Sequence, residues 1–254
     1  MKENLLLLGM AYPEISKKYG ASICMAGATE DGELRRIYPV PFELFLRSSF
    51  HKREWVNYEV REKGDYRKES YKIFPESITH GLMVDYNEIR DCCKAFTSTI
   101  EDLKLKTDAD RTSLGIIKPE IIDFKIKKFP ITEKRLHLSN QQMLDGCKIP
   151  IENLEYKAWY EYRCSKNCTA QHNHKSLCLD TELGQLIRNI KHKYDTEAIL
   201  LEKIKERFFT WMLTRDVYFM VGTHFLHPKS WMIISVLYPP KLNNKNESLK
   251  NWCL

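Results

Sequence analysis

Residues 164–178 read Cys-Ser-Lys-Asn-Cys-Thr-Ala-Gln-His-Asn-His-Lys-Ser-Leu-Cys, a density of thiols and imidazoles that points to a bound metal. Zinc takes four Cys or His ligands in a tetrahedron, so it needs a close pair with two more ligands nearby. Cys164 and Cys168 form that pair, and Cys-x3-Cys lies within the spacing such sites use. His174 is the third candidate. The fourth is Cys178 or His172, with Cys147 upstream as a further alternative. A metal here would pin a strand arriving through residues 160–163 to a helix opened by Asp180. That is the work of a structural zinc site rather than a catalytic one.

Carboxylates are the second group able to do chemistry. Asp65-x-Arg67-x-Glu69, Asp180-x-Glu182, and Glu152 with Glu155 are the groupings. A magnesium-dependent nuclease needs two carboxylates, often with a lysine at one edge. Asp180 and Glu182, with Lys191 or Lys193, are the catalytic candidates. The competing reading is favoured: Asp180 as a helix N-cap and Glu182 as a first-turn acid stabilised by the helix dipole. No GxSxG, phosphate-binding GxxxxGK[ST] or GxGxxG motif follows a strand. His224 stands alone at a strand end, and nothing places a base beside Cys24.

These residues sit in a chain of 254 residues, enough for one large domain or two small ones. Charged residues at 29% and hydrophobic residues at 43% are a globular balance. The net charge of +6 favours an anionic partner such as nucleic acid over a cationic one. The opening apolar run, Leu5 to Leu8, is too short for a secretory signal, and no apolar run approaches the roughly 20 residues of a membrane span. The expectation is a cytoplasmic protein with reduced thiols, in which clustered cysteines are metal ligands before disulfides.

The first 75 residues are β-rich. Residues 22–27 and 33–38 form a hairpin about the Glu30-Asp31-Gly32 turn, residues 55–61 alternate as a half-buried strand, and another strand starts at Tyr71. Short strands with glycine turns fit a small barrel of the OB or SH3-like kind. Lys and Arg outnumber Asp and Glu between Leu34 and Lys72, and aromatics are interleaved with them. A base can stack on an exposed ring while a cation holds its phosphate. Arg35, Arg36, Arg53, Trp55, Arg61 and Arg67 are therefore the candidate nucleic-acid contacts, against the reading that Trp55 or Tyr58 is core. Residues 85–105 read as a helix, 106–113 as a loop, and 121–126 and 156–162 as strands. Helices follow at about 181–190 and 196–213, then strands at 217–222 and 230–237.

Several local patterns resemble an uncharacterised bacterial protein family. They are Lys18-Tyr19 with Cys24-x-Ala26-Gly27, then Arg36-Ile37-Tyr38-Pro39-Val40-Pro41-Phe42 and Asp65-x-Arg67-x-Glu69-Ser70. Arg111-x-Ser113-Leu114-Gly115, Cys164-x3-Cys168 with His174, Asp180-x-Glu182, Val221-Gly222-Thr223 and Tyr238-Pro239-Pro240 complete them. The family pattern carries Cys-x2-His after its first cysteine. The wider spacing between Cys168 and His174 leaves His172 and His174 both open as ligands. The opening strand, its turn and the Arg-Ile-Tyr-Pro run are also similar to dual OB-domain proteins of anti-phage systems. That resemblance implies nucleic-acid or nucleotide recognition, in a complex with a protein partner. The combined expectation is an α+β protein. An N-terminal OB/SH3-like β-barrel spans 1–105, and a zinc-stapled α/β domain spans 106–254. The expected work is nucleic-acid binding, with a metal-dependent nuclease and a protein-interaction module as alternatives.

Overall fold

The computed structural model describes residues 1–16, 19–129, 154–194 and 196–242. Cys147 and Glu152 lie outside them. The first half holds strands β1 (Lys2–Met10), β2 (Glu14–Ser16), β3 (Gly20–Thr29), β4 (Leu34–Pro41), β5 (Glu54–Lys63), β6 (Ser70–Ile73) and β7 (Thr79–Met83), with helix α1 (Phe42–Ser48) between β4 and β5. Five of these strands close a barrel in the order β1-β3-β4-β6-β5, and β5 pairs back onto β1. The β4–β6 contact is parallel and the other barrel pairs are antiparallel.

The Leu5–Leu8 run is the strand that closes this barrel. Side chains alternate across a strand, so a run of four leucines needs both faces covered. Leu5 and Leu7 point into the barrel core with Ile23, Met25, Ile37 and Val56. Leu6 and Leu8 point outward into a second buried cluster, which also holds Ile116, Met220 and Ile234 from the other half of the chain. A continuous apolar core thus welds the barrel to the C-terminal half.

The second half begins with helices α2 (Tyr86–Ala95) and α3 (Ile100–Asp110). The expected single helix over 85–105 is broken because Thr99 caps a new one. Its hydroxyl accepts the Asp102 amide at 3.1 Å and donates to the Asp102 carboxylate at 2.8 Å. Helix α3 then runs through much of the expected loop and ends where Arg111 turns left-handed, at φ 64°. α2 packs into the cluster shared with the barrel, whereas Ile100 and Leu103 of α3 belong to the core of the second sheet.

That sheet comprises β8 (Leu114–Ile117), β9 (Glu120–Lys128), β10 (Tyr156–Arg163), β11 (His174–Cys178), β12 (Tyr218–His224) and β13 (His227–Leu237), in the order β8-β12-β13-β11-β10-β9. Helices α4 (Thr181–Ile190) and α5 (Glu197–Lys205) cover its inner face, burying Leu183, Ile187, Leu200 and Ile204 against Phe124, Tyr160 and Phe219. The expected helix to residue 213 leaves α geometry at Glu206, passing through a π turn (Glu206–Thr210) and a 3₁₀ turn (Met212–Thr214). Among the described residues no helix is long and apolar enough to cross a membrane.

α4 meets the barrel half by backbone as well as side chain. The Tyr12 amide donates to the Leu179 carbonyl at 2.6 Å, and the Thr181 hydroxyl donates to the Met10 carbonyl at 2.7 Å. The Tyr12 ring lies against Gly184, where a Cβ would come within 2.0 Å of it. Gly184→Ala should therefore cost about 1–3 kcal/mol in urea denaturation. In a Tyr12→Ala background the loss should shrink, and an undiminished loss would contradict this contact.

Candidate metal centre and the placement of the basic residues

Four ligand atoms converge where the β10–β11 hairpin meets the start of α3. Cys164 follows the last residue of β10, Cys168 lies in the turn beyond it, and His174 opens β11 directly across from Tyr162. The fourth is Glu101, in the first turn of α3. One ligand atom from each residue lies within 4.8 Å of all the others. The Cys164 sulfur is 3.1 Å from Glu101 Oε2, the Cys168 sulfur 3.4 Å from His174 Nε2, and His174 Nε2 3.3 Å from Glu101 Oε1. A tetrahedron of sulfur, nitrogen and oxygen ligands around zinc has edges of about 3.3–3.8 Å. The cluster could hold a metal ion.

The surrounding elements shift the protonation of these groups in different directions. Burial pushes the Cys164 thiol up, opposed by the free first-turn amide of Ile100, which donates to its sulfur. Burial raises the Cys168 thiol as well, but backbone donors at Cys164 and Ala170 bring it below its usual value. Burial lowers His174, which keeps the imidazole neutral as a metal ligand must be. Arg163 donates to the Cys168 carbonyl at 2.6 Å and fixes the turn.

Cys178 is not part of this set. It is buried near Asp180, and burial pushes its thiol up. It sits at the opposite end of β11, with its side chain on the same face as Ala158. His172 is exposed in the turn. Strand geometry explains why Cys178 does not join: it stands four residues beyond His174 along an extended strand, roughly 13 Å at about 3.3 Å per residue.

Asp180 and Glu182 have a structural task. Asp180 caps α4 by accepting the Glu182 amide at 2.7 Å. Its other oxygen accepts from Lys52 Nζ at 2.7 Å, the Val236 amide at 2.6 Å and the Ser235 hydroxyl at 3.2 Å. Lys52 comes from the barrel and also lies 3.3 Å from Glu182, whose carboxylate accepts the Tyr238 hydroxyl. Two carboxylates and a lysine do meet, but the Asp180 side chain is 0% exposed and both of its oxygens already accept hydrogen bonds. Lys191 and Lys193 lie at and just beyond the end of α4, a helix length away from this group. Burial alone would lower Lys52, yet Asp180 and Glu182 hold it above its usual value, so it stays charged.

The barrel's basic candidates are largely turned inward. Arg35 is buried, paired with Glu3 at 3.1 Å and Glu33 at 3.2 Å, and covers the Tyr71 ring. Arg36, 2% exposed, donates to the Ser113 carbonyl at 3.0 Å, and burial lowers its guanidinium. Arg67 grips Asp65 and donates to the Thr223 carbonyl at 3.0 Å. Glu69 receives both the amide and the hydroxyl of Ser113. Residues of the Asp65–Ser70, Arg111–Gly115 and Val221–Thr223 patterns thus meet at the seam between barrel and second sheet. Arg53, at φ 71°, covers the Tyr86 ring, and Trp55 packs against the shared cluster. Arg61 is the exposed one of the six.

The family model described as Domain of unknown function (DUF8757) matches residues 95–253. The chain belongs to that family. A second model, Domain of unknown function (DUF8758), matches residues 1–94. No curated protein matches the chain. All four converging ligand residues fall within the DUF8757 segment, while the barrel and Lys52 fall within the DUF8758 segment. The Lys52–Asp180 pair therefore joins the two matched segments.

Removing one partner of a buried ion pair leaves the other charge uncompensated. Lys52→Ala should lower unfolding free energy by about 3–5 kcal/mol in chemical denaturation. A loss under about 1 kcal/mol, the size of an exposed pair, would contradict the placement of Asp180.

Proposed function

We propose that the Glu101, Cys164, Cys168 and His174 cluster is a structural zinc site and that the protein it stabilises binds nucleic acid without cutting it. The convergence of two thiols, an imidazole and a carboxylate within 4.8 Å carries the zinc reading. Two thiolates and an imidazole suit zinc over magnesium or calcium, which prefer oxygen. Four protein ligands complete the tetrahedron and leave no open position for a reacting water, the mark of a structural site. The ion would clip the β10–β11 hairpin to the start of α3.

Strand order supports nucleic-acid binding. Counting only the barrel strands, first lies beside second, second beside third, third parallel to fifth, fifth beside fourth, and fourth beside first. A helix joins third to fourth. That order supports reading the barrel as OB-type, a fold that often binds oligonucleotides. The inward arginines define the barrel's seam with the second sheet, so contacts to an anion must come from elsewhere on the surface.

Metal analysis of purified protein should find one zinc per chain. Cys168→Ser should lose most of it, whereas Cys178→Ser should keep it, and the reverse pattern would overturn the ligand assignment. Fluorescence anisotropy with labelled DNA and RNA, without magnesium, should show binding that weakens steeply as salt rises. Absence of binding at low salt would overturn the nucleic-acid reading.

A further inference from the structure

The outer face of the second sheet carries a basic aromatic platform. Along β10 the inward residues Tyr156, Ala158, Tyr160 and Tyr162 are buried in the core. The alternate residues Lys157, Trp159, Glu161 and Arg163 point the other way, because strand side chains alternate. Register extends that outer face to both neighbours. Trp159 lies opposite Lys125 on β9 and Leu177 on β11, Lys157 opposite Lys127, and Glu161 opposite Lys175.

Trp159 belongs to none of the three buried clusters, and neither does Phe129 just beyond β9. Their rings lie 5.7 Å apart, and Phe129 is 37% exposed. Positive charge stands at their edges: Lys157 Nζ is 5.1 Å from the Phe129 ring and Lys175 Nζ is 6.0 Å from the Trp159 ring. Lys125 is neutralised by Glu161 and Asp123. Lys127, Lys157 and Lys175 form no ion pair with a carboxylate among the described residues. An exposed Phe129 ring and a half-buried Trp159 ring, beside three lysines without a carboxylate partner among the described residues, are complementary to a chain that alternates flat bases with phosphates. A protein partner would not require both features in this alternation, and a duplex hides its base faces.

Resting on the nucleic-acid reading above, we infer that the outer face of β9, β10 and β11 binds single-stranded nucleic acid, with bases stacking on Trp159 and Phe129 and phosphates held by Lys127, Lys157 and Lys175. Among the described residues β9 is the sheet's edge strand.

The test is anisotropy of the full chain with labelled single-stranded DNA and RNA of about 15 nucleotides, a length that spans such a platform. A duplex of the same sequence is the comparison. Trp159→Ala should weaken single-strand binding about tenfold or more. A variant with Lys127, Lys157 and Lys175 all changed to Ala should flatten the slope of log affinity against log salt by about 2, from three phosphate contacts. That variant changes only outward lysines, so it serves even if Trp159→Ala does not fold. Lys203→Ala on α5 should leave binding unchanged. Whichever of DNA or RNA binds more tightly names the natural strand. Wild-type binding that neither platform variant weakens would overturn this placement and leave the broader reading standing, as would a duplex bound as tightly as the single strand. No binding by wild type would overturn both.

Discussion

Two thiols, an imidazole and a carboxylate within 4.8 Å of one another are a constraint the rest of the C-terminal half must satisfy. Brought together and ionised, the sulfur and oxygen ligands repel, and only a shared cation turns that repulsion into a restraint. The groups come from elements far apart in the chain: the first turn of α3, the end of β10, the turn after it, and the start of β11. Thr99 sets the start of α3 and so points both Glu101 and the Ile100 amide at Cys164. Tyr162, across from His174, packs beside its ring at 5.4 Å and holds the imidazole toward the sulfurs. Under the proposed reading, the metal would fix one end of the hairpin whose opposite face is the basic platform.

The second constraint is the seam. Leu6 and Leu8 on the barrel's closing strand share a core with Met220 and Ile234, and Lys52 reaches across to the fully buried Asp180. Buried charges need partners, and the seam supplies them for Arg36, Arg67 and Glu69 from the backbone of Ser113 and Thr223. Arg35, Arg36, Lys52 and Arg67 of the barrel segment are thereby held internally. Under the proposed reading, the lysines of the second sheet that carry no carboxylate partner among the described residues, Lys127, Lys157 and Lys175, are the ones left for a polyanion.

Much of this is legible in the sequence where local patterns are strong. Asp180 reads as a cap and is one, and residues 156–162 read as the strand that is β10. The proximity of Cys164, Cys168 and His174 follows from their spacing in sequence. Glu101 is not legible, because it lies 63 residues from Cys164 and looks like any first-turn acid. Thr99 with Asp102 does carry a signal, a cap inside what reads as one long helix. Arg35, Arg36 and Arg67 read as surface because alternation gives a face but not what covers it; Glu3, Ser113 and Thr223 cover theirs. The Leu5–Leu8 run hides a strand because a strand buried on both faces loses its alternation.

X-ray absorption at the zinc edge reads out the ligands of the proposed site. The expected first shell is a four-coordinate zinc with two sulfur ligands at about 2.3 Å and two nitrogen or oxygen ligands at about 2.0–2.2 Å. A first shell of three or four sulfurs, or of oxygen and nitrogen alone, would contradict it.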